Sequence, residues 1–486
     1  MTTYDVVIRG GRVIDPETGL DAVRHVGVTG DRIAAVSEAD LVGRRTIDAH
    51  GLVVVPGFVD LHSHAQGVGE ARLQALDGVT TALELEAGTA PVAAAYARAA
   101  AEGRPINYGW SASWAWVRRH VVGGAPLPGG AGGPLDDLGS PAMHSAASPR
   151  QTATMLDLLA RELADGALGI GVLLGYAPAT DPAEMVAVAR LAAGAGVPAF
   201  THARPLVEQD PHVVVDGAEE LTRIAGQTGA HLHYCHINST STRHLDRVLA
   251  LVDAIRAEGA RVTAEAYPYG YGMTSIGSDY FRPDRLHVLG ATGTPSDVVY
   301  ARTGETVSSV ERLLELRASD PAGLAFIRVF DEGDTDRIAR LCALPGAVVA
   351  SDAVPFVVPD GQTLDAWRWP PPAYVRTHPR TAGTFARTLR VAVRETGLLS
   401  LPEAVARCTV EPARILGGVL ARKGRIQVGC DADLVVLDVD RVTDTATYQA
   451  SVSPSRGFVH VLVNGEPVVS NGVLQESALP GRPVRT

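Results

Sequence analysis

An apolar run, Val55-Pro56-Gly57-Phe58-Val59-Asp60-Leu61, ends in His62-Ser63-His64. Side chains two apart on a strand share a face, so both imidazoles can reach one cation. Two ring nitrogens so placed suit Zn²⁺, or Mn²⁺ or Co²⁺, and a hydrolytic zinc brings the acidity of its water towards neutrality. An HxH alone equally suits a hydrogen-bonded surface pair, so the other donors decide. Further along lie Glu84 and Glu86 in Val79-Thr80-Thr81-Ala82-Leu83-Glu84-Leu85-Glu86, then His202 with Arg204, His236 and Asp352. Each of these groups closes a different apolar run, and strand alternation puts Glu84 and Glu86 on one face. The set points to a metal centre that activates water.

Something must gather residues so distant in sequence. Eight short strand candidates end near His64, Glu86, Ser113, Leu174, Arg204, Ile237, Tyr269 and Asp352, alternating with Ala/Leu/Arg-rich helical stretches. That is the pattern of parallel βα units, and eight of them close a (β/α)8 TIM barrel, whose active sites sit at the C-terminal ends of the strands. Helices are expected over roughly Pro91 to Glu102, Ser148 to Ala164, Pro182 to Ala195, Gly217 to Thr228 and Ser241 to Glu258. Short β-type runs between Val6 and Val55 return only in Asp433 to Asp438 and Phe458 to Val468. The expected organisation is a small β-sandwich of 1–55 plus 415–486 around a hydrolase barrel of 56–414, with an insertion at about 271–345. The runs Gly123 to Pro134 and Ala353 to His378 should form loops or lids at the catalytic rim.

The order of these residues resembles the amidohydrolase superfamily and, within it, the N-acyl-D-amino-acid deacylase (D-aminoacylase) branch. The motifs that carry the resemblance are the HxH, Gly78-Val79-Thr80-Thr81, Thr201-His202-Ala203-Arg204, Ala266-Tyr267-Pro268-Tyr269, His378-Pro379-Arg380, and Glu411-Pro412-Ala413-Arg414 with Gly429-Cys430-Asp431-Ala432-Asp433. The resemblance implies that His62, His64 and Asp352 surround one metal position and His202 and His236 hold another. It also implies that Asp352 is the general base, and that one or two Zn²⁺ ions per subunit polarise the amide carbonyl. Two departures stand out. The bridging cysteine usual in D-aminoacylases is absent, and a carboxylated lysine on strand four is excluded because Lys423, beyond the barrel, is the only lysine among 43 basic residues. Glu86 then takes the bridging place, with Glu84 in reserve. The lysine that often follows the strand-six histidine is also missing, which leaves Arg204, Arg376 and Arg380, with the hydroxyls of Tyr267 and Tyr269, as substrate-binding candidates.

The expected activity is metal-dependent cleavage of the amide bond of an N-acyl, D-configured amino acid or a related amide. The alternatives are a cyclic-amide hydrolase of hydantoin, lactam or dihydropyrimidine type on the same centre, and a non-catalytic scaffold of the same fold. Trp367-Arg368-Trp369-Pro370-Pro371-Pro372 fits either an acyl pocket or lid packing. Cys235 beside His236 is expected to point away from the metal face as a core residue. The net charge of −11, with acids and bases interspersed, offers no polybasic face for nucleic acid or an anionic membrane. Four widely spaced cysteines and the lack of a signal or long apolar segment suit a cytoplasmic protein with reduced thiols. A small-molecule amide is the expected partner, with homo-oligomerisation left open.

Overall fold

The computed structural model describes residues 2–129, 133 and 135–486. Most of the expected run from Gly123 to Pro134 is covered, but 130–132 and 134 lie outside the described residues.

Eight parallel strands follow one another in chain order: Phe58–Asp60, Val79–Thr89, Asn107–Ser113, Ile170–Val172, Ala199–Thr201, Leu232–Tyr234, Val262–Ala266 and Ala347–Val349. The ring closes between its first and last members. Ser63 bridges Ala353, His64 N–H donates to the Ala353 carbonyl at 2.8 Å, and Ser351 N–H donates to Asp60 at 3.0 Å. The strands are short because they are apolar for only a few residues before polar text begins. Val59, Leu61, Leu83, Leu85, Phe200 and Val348 fill the barrel interior. Helices Val92–Glu102, Pro149–Ala164, Pro182–Ala195 and Gly217–Thr228 lie within a residue of expectation, and their starts carry the reasons. Ser148 and Gln151 form a capping box, and the Asp181 and Asp216 side chains accept from the first-turn amides. The stretch from Ser241 departs from expectation: a short turn precedes the helix proper, Leu245–Ala257.

Both chain ends build a second, nine-stranded sheet in which Val53–Pro56 pairs with Thr3–Asp15 on one side and Leu434–Leu437 on the other. Alternation explains its two faces. Val54, Leu434 and Val436 bury themselves within this sheet's own core, whereas Val53, Val55, Val435 and Leu437 pack onto the barrel. At Gly57, where the chain passes from this sheet to the barrel, a Cβ would stand 2.1 Å from Thr80, so only glycine permits the crossing.

A buried polar joint fastens the two layers. Lys423 reaches Asp433 at 2.7 Å and Asp431 at 3.0 Å, and Asp433 also accepts from Asn107 of the third barrel strand. Lys423→Met should leave the buried Asp433 carboxylate without its cation, while Asp431 keeps Arg32 and Arg422, and cost about 3 kcal/mol of stability. Chemical denaturation would show it, and a variant as stable as the parent would mean the joint is dispensable.

The insertion between strands seven and eight forms a four-stranded antiparallel sheet, with Tyr271–Ser275 and Leu324–Arg328 paired and helix Val310–Ser319 beside them. The helix Thr335–Cys342, inside the expected span of the insertion, instead packs with the barrel core. No helix among the described residues is long and apolar enough to cross a membrane.

Candidate metal centre

The ends of six barrel strands converge on one buried cluster. Glu86 lies at its middle with its two oxygens turned to different partners. Oε1 is 3.0 Å from His202 Nδ1 and 2.6 Å from His236 Nε2, while Oε2 is 3.2 Å from His62 Nε2 and 3.5 Å from His64 Nε2. Asp352 Oδ1 sits 3.4 Å from each of His62 and His64, whose Nε2 atoms are 3.2 Å apart. Two groups of donor atoms, His62/His64/Asp352 and His62/Glu86/His236, each lie close enough together to hold one ion. His236 and Asp352 both adopt the left-handed backbone conformation, at φ +31° and +51°, which costs energy for residues with a Cβ and is retained where the side chain must be aimed.

The outer ring nitrogens are occupied as well. His62 Nδ1 is paired with Glu265, which also takes His233 Nε2 at 3.0 Å, and His64 Nδ1 meets Glu84 at 2.6 Å. Such pairing fixes the tautomer and ring orientation, leaving the inner nitrogens as lone-pair donors. Burial disfavours the charged forms of His62 and His64, but Glu265 and Glu86 around the first, and Glu84 and Asp352 around the second, overcome it and raise both imidazoles well above their usual value. Burial raises Glu86 in turn, yet His62, His236 and His202 hold it well below the normal carboxylate range. Four buried carboxylates against one guanidinium form a nest whose charge a divalent cation would balance better than protons do. The donor set therefore fits a metal.

Asp352 is addressed from behind. Burial raises its carboxyl, while Arg380 and His62 outweigh that and keep it low; Arg380 Nη2 stands 2.9 Å from Oδ2. The Arg380 guanidinium stacks 4.6 Å from the Tyr267 ring, and its Nε and Nη1 have no hydrogen-bond partner among the described residues. Tyr267 lines the cavity above the cluster, and burial pushes its hydroxyl up to about 12.

Glu84 and Glu86 both turn to the His64 ring, Glu84 to Nδ1 and Glu86 to Nε2, and the pairing register of their strand shifts between Glu84 and Thr89. The opposite strand makes room for this bulge, since a Cβ at Gly171 would stand 2.3 Å from the Glu86 carbonyl. Several expected site residues are placed elsewhere. Arg204 turns away from the cluster to Glu220 at 2.8 Å and to the Pro178 and Thr180 carbonyls, a structural tie. Tyr269 is spent on packing, edge-on to His378 and under Arg387. Arg376 lies at the rim against Gly304, outside the cavity lining. Cys235, expected to face away, packs in the barrel interior within reach of His62 and Glu265. The Trp367 to Pro372 run covers the outside of the first barrel helix, where the Trp367 carbonyl accepts from Arg72, and so does not form an acyl pocket.

Residues that sequence reasoning passed over complete the site. Glu265 is the lone acid of the strand Val262–Ala266, a signal visible in the text. Tyr280, whose hydroxyl lies 3.0 Å from His202 Nε2, and Tyr176, whose ring packs on His202 at 4.6 Å, carry no local signal because a separate segment brings each to the histidine.

Residues 45–469 match the model of the amidohydrolase family. Over 99% of its length the chain is 31% identical to N-acyl-D-glutamate deacylase and 30% identical to D-aminoacylase of Alcaligenes xylosoxydans xylosoxydans, spanning 96% of each. The solved structure of N-acyl-D-glutamate deacylase from Bordetella bronchiseptica, complexed with zinc and a phosphonate mimic of the tetrahedral intermediate, superposes over the whole of both chains with a TM-score of 0.75 at 25% identity. A closed eight-stranded barrel, a carboxylate shared between two histidine pairs and these matches lead to one statement of kinship: the chain belongs to the amidohydrolase family.

Proposed function

We propose that this protein is a metal-dependent deacylase of N-acyl-D-amino acids. The observation that carries the reading is the division of Glu86 between two histidine pairs with Asp352 at the inner edge of one. His62, His64 and Asp352 would hold one ion, His202 and His236 another, and Glu86 would join them, with Zn²⁺ the best match to the nitrogen-rich set and Mn²⁺ or Co²⁺ as substitutes. When bound, the metal supplies Lewis acidity to the attacking water and to the scissile carbonyl. Asp352 accepts the proton of that water as its oxygen adds to the carbonyl carbon. It then delivers the proton to the nitrogen as the C–N bond breaks, releasing a carboxylic acid and a D-amino acid. Arg380, paired with Asp352 at 2.9 Å, keeps that carboxylate ionised between turnovers. The insertion roofs the site with Met273, Leu289, Ile327 and Val329.

Purified protein reconstituted with Zn²⁺, Co²⁺ or Mn²⁺ should hydrolyse N-acetyl-D-amino acids in preference to hydantoins and dihydropyrimidines. Failure with every N-acyl-D-amino acid would remove this reading. The outer carboxylates give a separate handle: Glu265→Gln is expected to weaken metal binding by about 10- to 100-fold by releasing the His62 ring, measurable by competition with a chromophoric chelator. Unaltered affinity would mean that the His62 orientation does not depend on Glu265.

A further inference from the structure

Below the cluster the barrel interior is not wholly apolar. Closed parallel barrels are filled in layers by branched apolar side chains, and Leu61, Leu83, Leu85, Phe200 and Val348 do so here. Strands six and seven depart from that rule. Alternation turns His231 and His233 of one, and Thr263 and Glu265 of the other, into the same interior, where His233 is registered opposite Thr263. His231 Nε2 lies 2.9 Å from Thr263 Oγ1, Thr263 Oγ1 lies 2.8 Å from His233 Nδ1, and His233 Nε2 lies 3.0 Å from Glu265 Oε2. Glu265 Oε1 then meets His62 Nδ1 and accepts the His236 amide at 3.3 Å. The column begins at the N-terminal ends of the strands, where the exposed Arg261 brings Nη2 to 3.4 Å from His231 Nδ1, and ends at the cluster.

The ends of the column fix its direction. Arg261 can only donate, so His231 Nδ1 is the acceptor and Nε2 carries the proton; burial, with His233 and Arg261 adding to it, pushes His231 down to about 3 and keeps it the neutral ring this requires. Thr263 accepts from His231 and passes its own O–H to His233 Nδ1, so His233 Nε2–H donates to Glu265. Every hydrogen bond points one way. Resting on the metal-centre reading, we propose that Thr263 and His233 are positioning residues for zinc: they hold the plane of the Glu265 carboxylate, Glu265 holds the His62 ring and the His236 amide, and the affinity of the cluster is set in part from the far end of the barrel. A carboxylate with His62 as its one side-chain partner is free to swing, whereas one with an N–H on each oxygen swings only by losing a bond. The column is satisfied along its length, as a buried polar network must be if it is to confer rigidity.

Thr263→Val cuts the column at its middle and keeps its shape. In competition with a chromophoric chelator this variant should bind Zn²⁺ about tenfold more weakly than the parent, the lower end of outer-shell effects, and Thr263→Ser, which restores the hydroxyl, should return to within about twofold. In a Glu265→Gln background the same Thr263→Val change should cost less than about twofold, because the link it acts through is already cut. A threonine that serves core stability alone behaves otherwise: the metal-free melt of Thr263→Val falls while its zinc affinity stays with the parent's, and that result would overturn the inference. An undiminished loss in the Glu265→Gln background would do the same. So would nitrogen NMR of the zinc-loaded parent that puts the His233 proton on Nδ1, a measurement that needs no variant to fold. Activity is decided separately: a parent that binds zinc but hydrolyses no N-acyl-D-amino acid loses the deacylase reading and leaves the zinc comparison in force, whereas a parent that binds no zinc refutes both.

Discussion

Asp352→Asn is expected to lower kcat by about 10³-fold or more while metal remains bound. The substitution preserves shape and leaves an amide oxygen where Oδ1 faces His62 and His64, so the coordination shell loses charge but no volume. It removes the carboxylate assigned to take up and return a proton at the reacting centre. Arg380 and His62 hold the native carboxyl ionised against the effect of burial, and an amide cannot assume that role. A 10³-fold loss corresponds to about 4 kcal/mol of barrier, too much to come from a changed hydrogen bond to substrate alone. The substitution also leaves the fully buried Arg380 guanidinium without its anion. The metal-free variant should therefore melt below the metal-free parent, and the two effects are separable: metal content by elemental analysis, turnover by release of free amine, stability by thermal melt. Turnover within tenfold of the parent, with metal retained, would take the proton-transfer role away from Asp352.

Much of this architecture was legible because two physical regularities act locally. Apolar runs that end in polar text, alternating with amphipathic stretches opened by Ser148, Asp181 or Asp216, mark βα units directly, and eight of them admit one closed parallel solution. The terminal sheet was legible because Leu434 to Leu437 and Val53 to Pro56 carry the same β-type runs although they lie far apart in the chain. The side chains that meet at the cluster were legible as the last residues of separate strands. Their aim was less so. Strict alternation assigns Glu84 and Glu86 to one face, and both do reach His64, but it does not say which ring nitrogen each meets, nor that the pairing register shifts beyond Glu84. The same rule misplaced Cys235, because His236 takes a left-handed conformation just where the strand ends. Arg204 and Tyr269 lie beyond the last paired residues of strands five and seven, Thr201 and Ala266, where the pleat no longer dictates direction and the nearest unsatisfied carboxylate or ring does. Tyr280 was invisible for another reason: it belongs to an insertion whose placement over His202 depends on long-range packing.

Glu86→Ala should empty at least one of the two metal positions and, with it, most of the stabilisation that metal confers. This carboxylate joins the two histidine pairs: one oxygen serves His202 and His236, the other His62 and His64. Without it, His202 and His236 keep two ring nitrogens and no anion, a set too sparse for a divalent ion that prefers four ligands. His62, His64 and Asp352 still form a three-donor site. The expected stoichiometry therefore falls from two ions to one or none. A ligand present at a hundred times its dissociation constant stabilises the fold by about 2.7 kcal/mol, so the zinc-induced rise in melting temperature should shrink markedly in the variant. Glu86→Gln separates charge from shape, since its amide retains an oxygen for one pair but cannot serve both. It should behave like the alanine variant in stoichiometry while melting closer to the parent in the absence of metal. Two ions per chain and full activity in Glu86→Ala would transfer the bridging role to another group, and Glu84, already engaged with the outer nitrogen of His64 and the Ala87 and Gly88 amides, could not assume it without breaking those bonds.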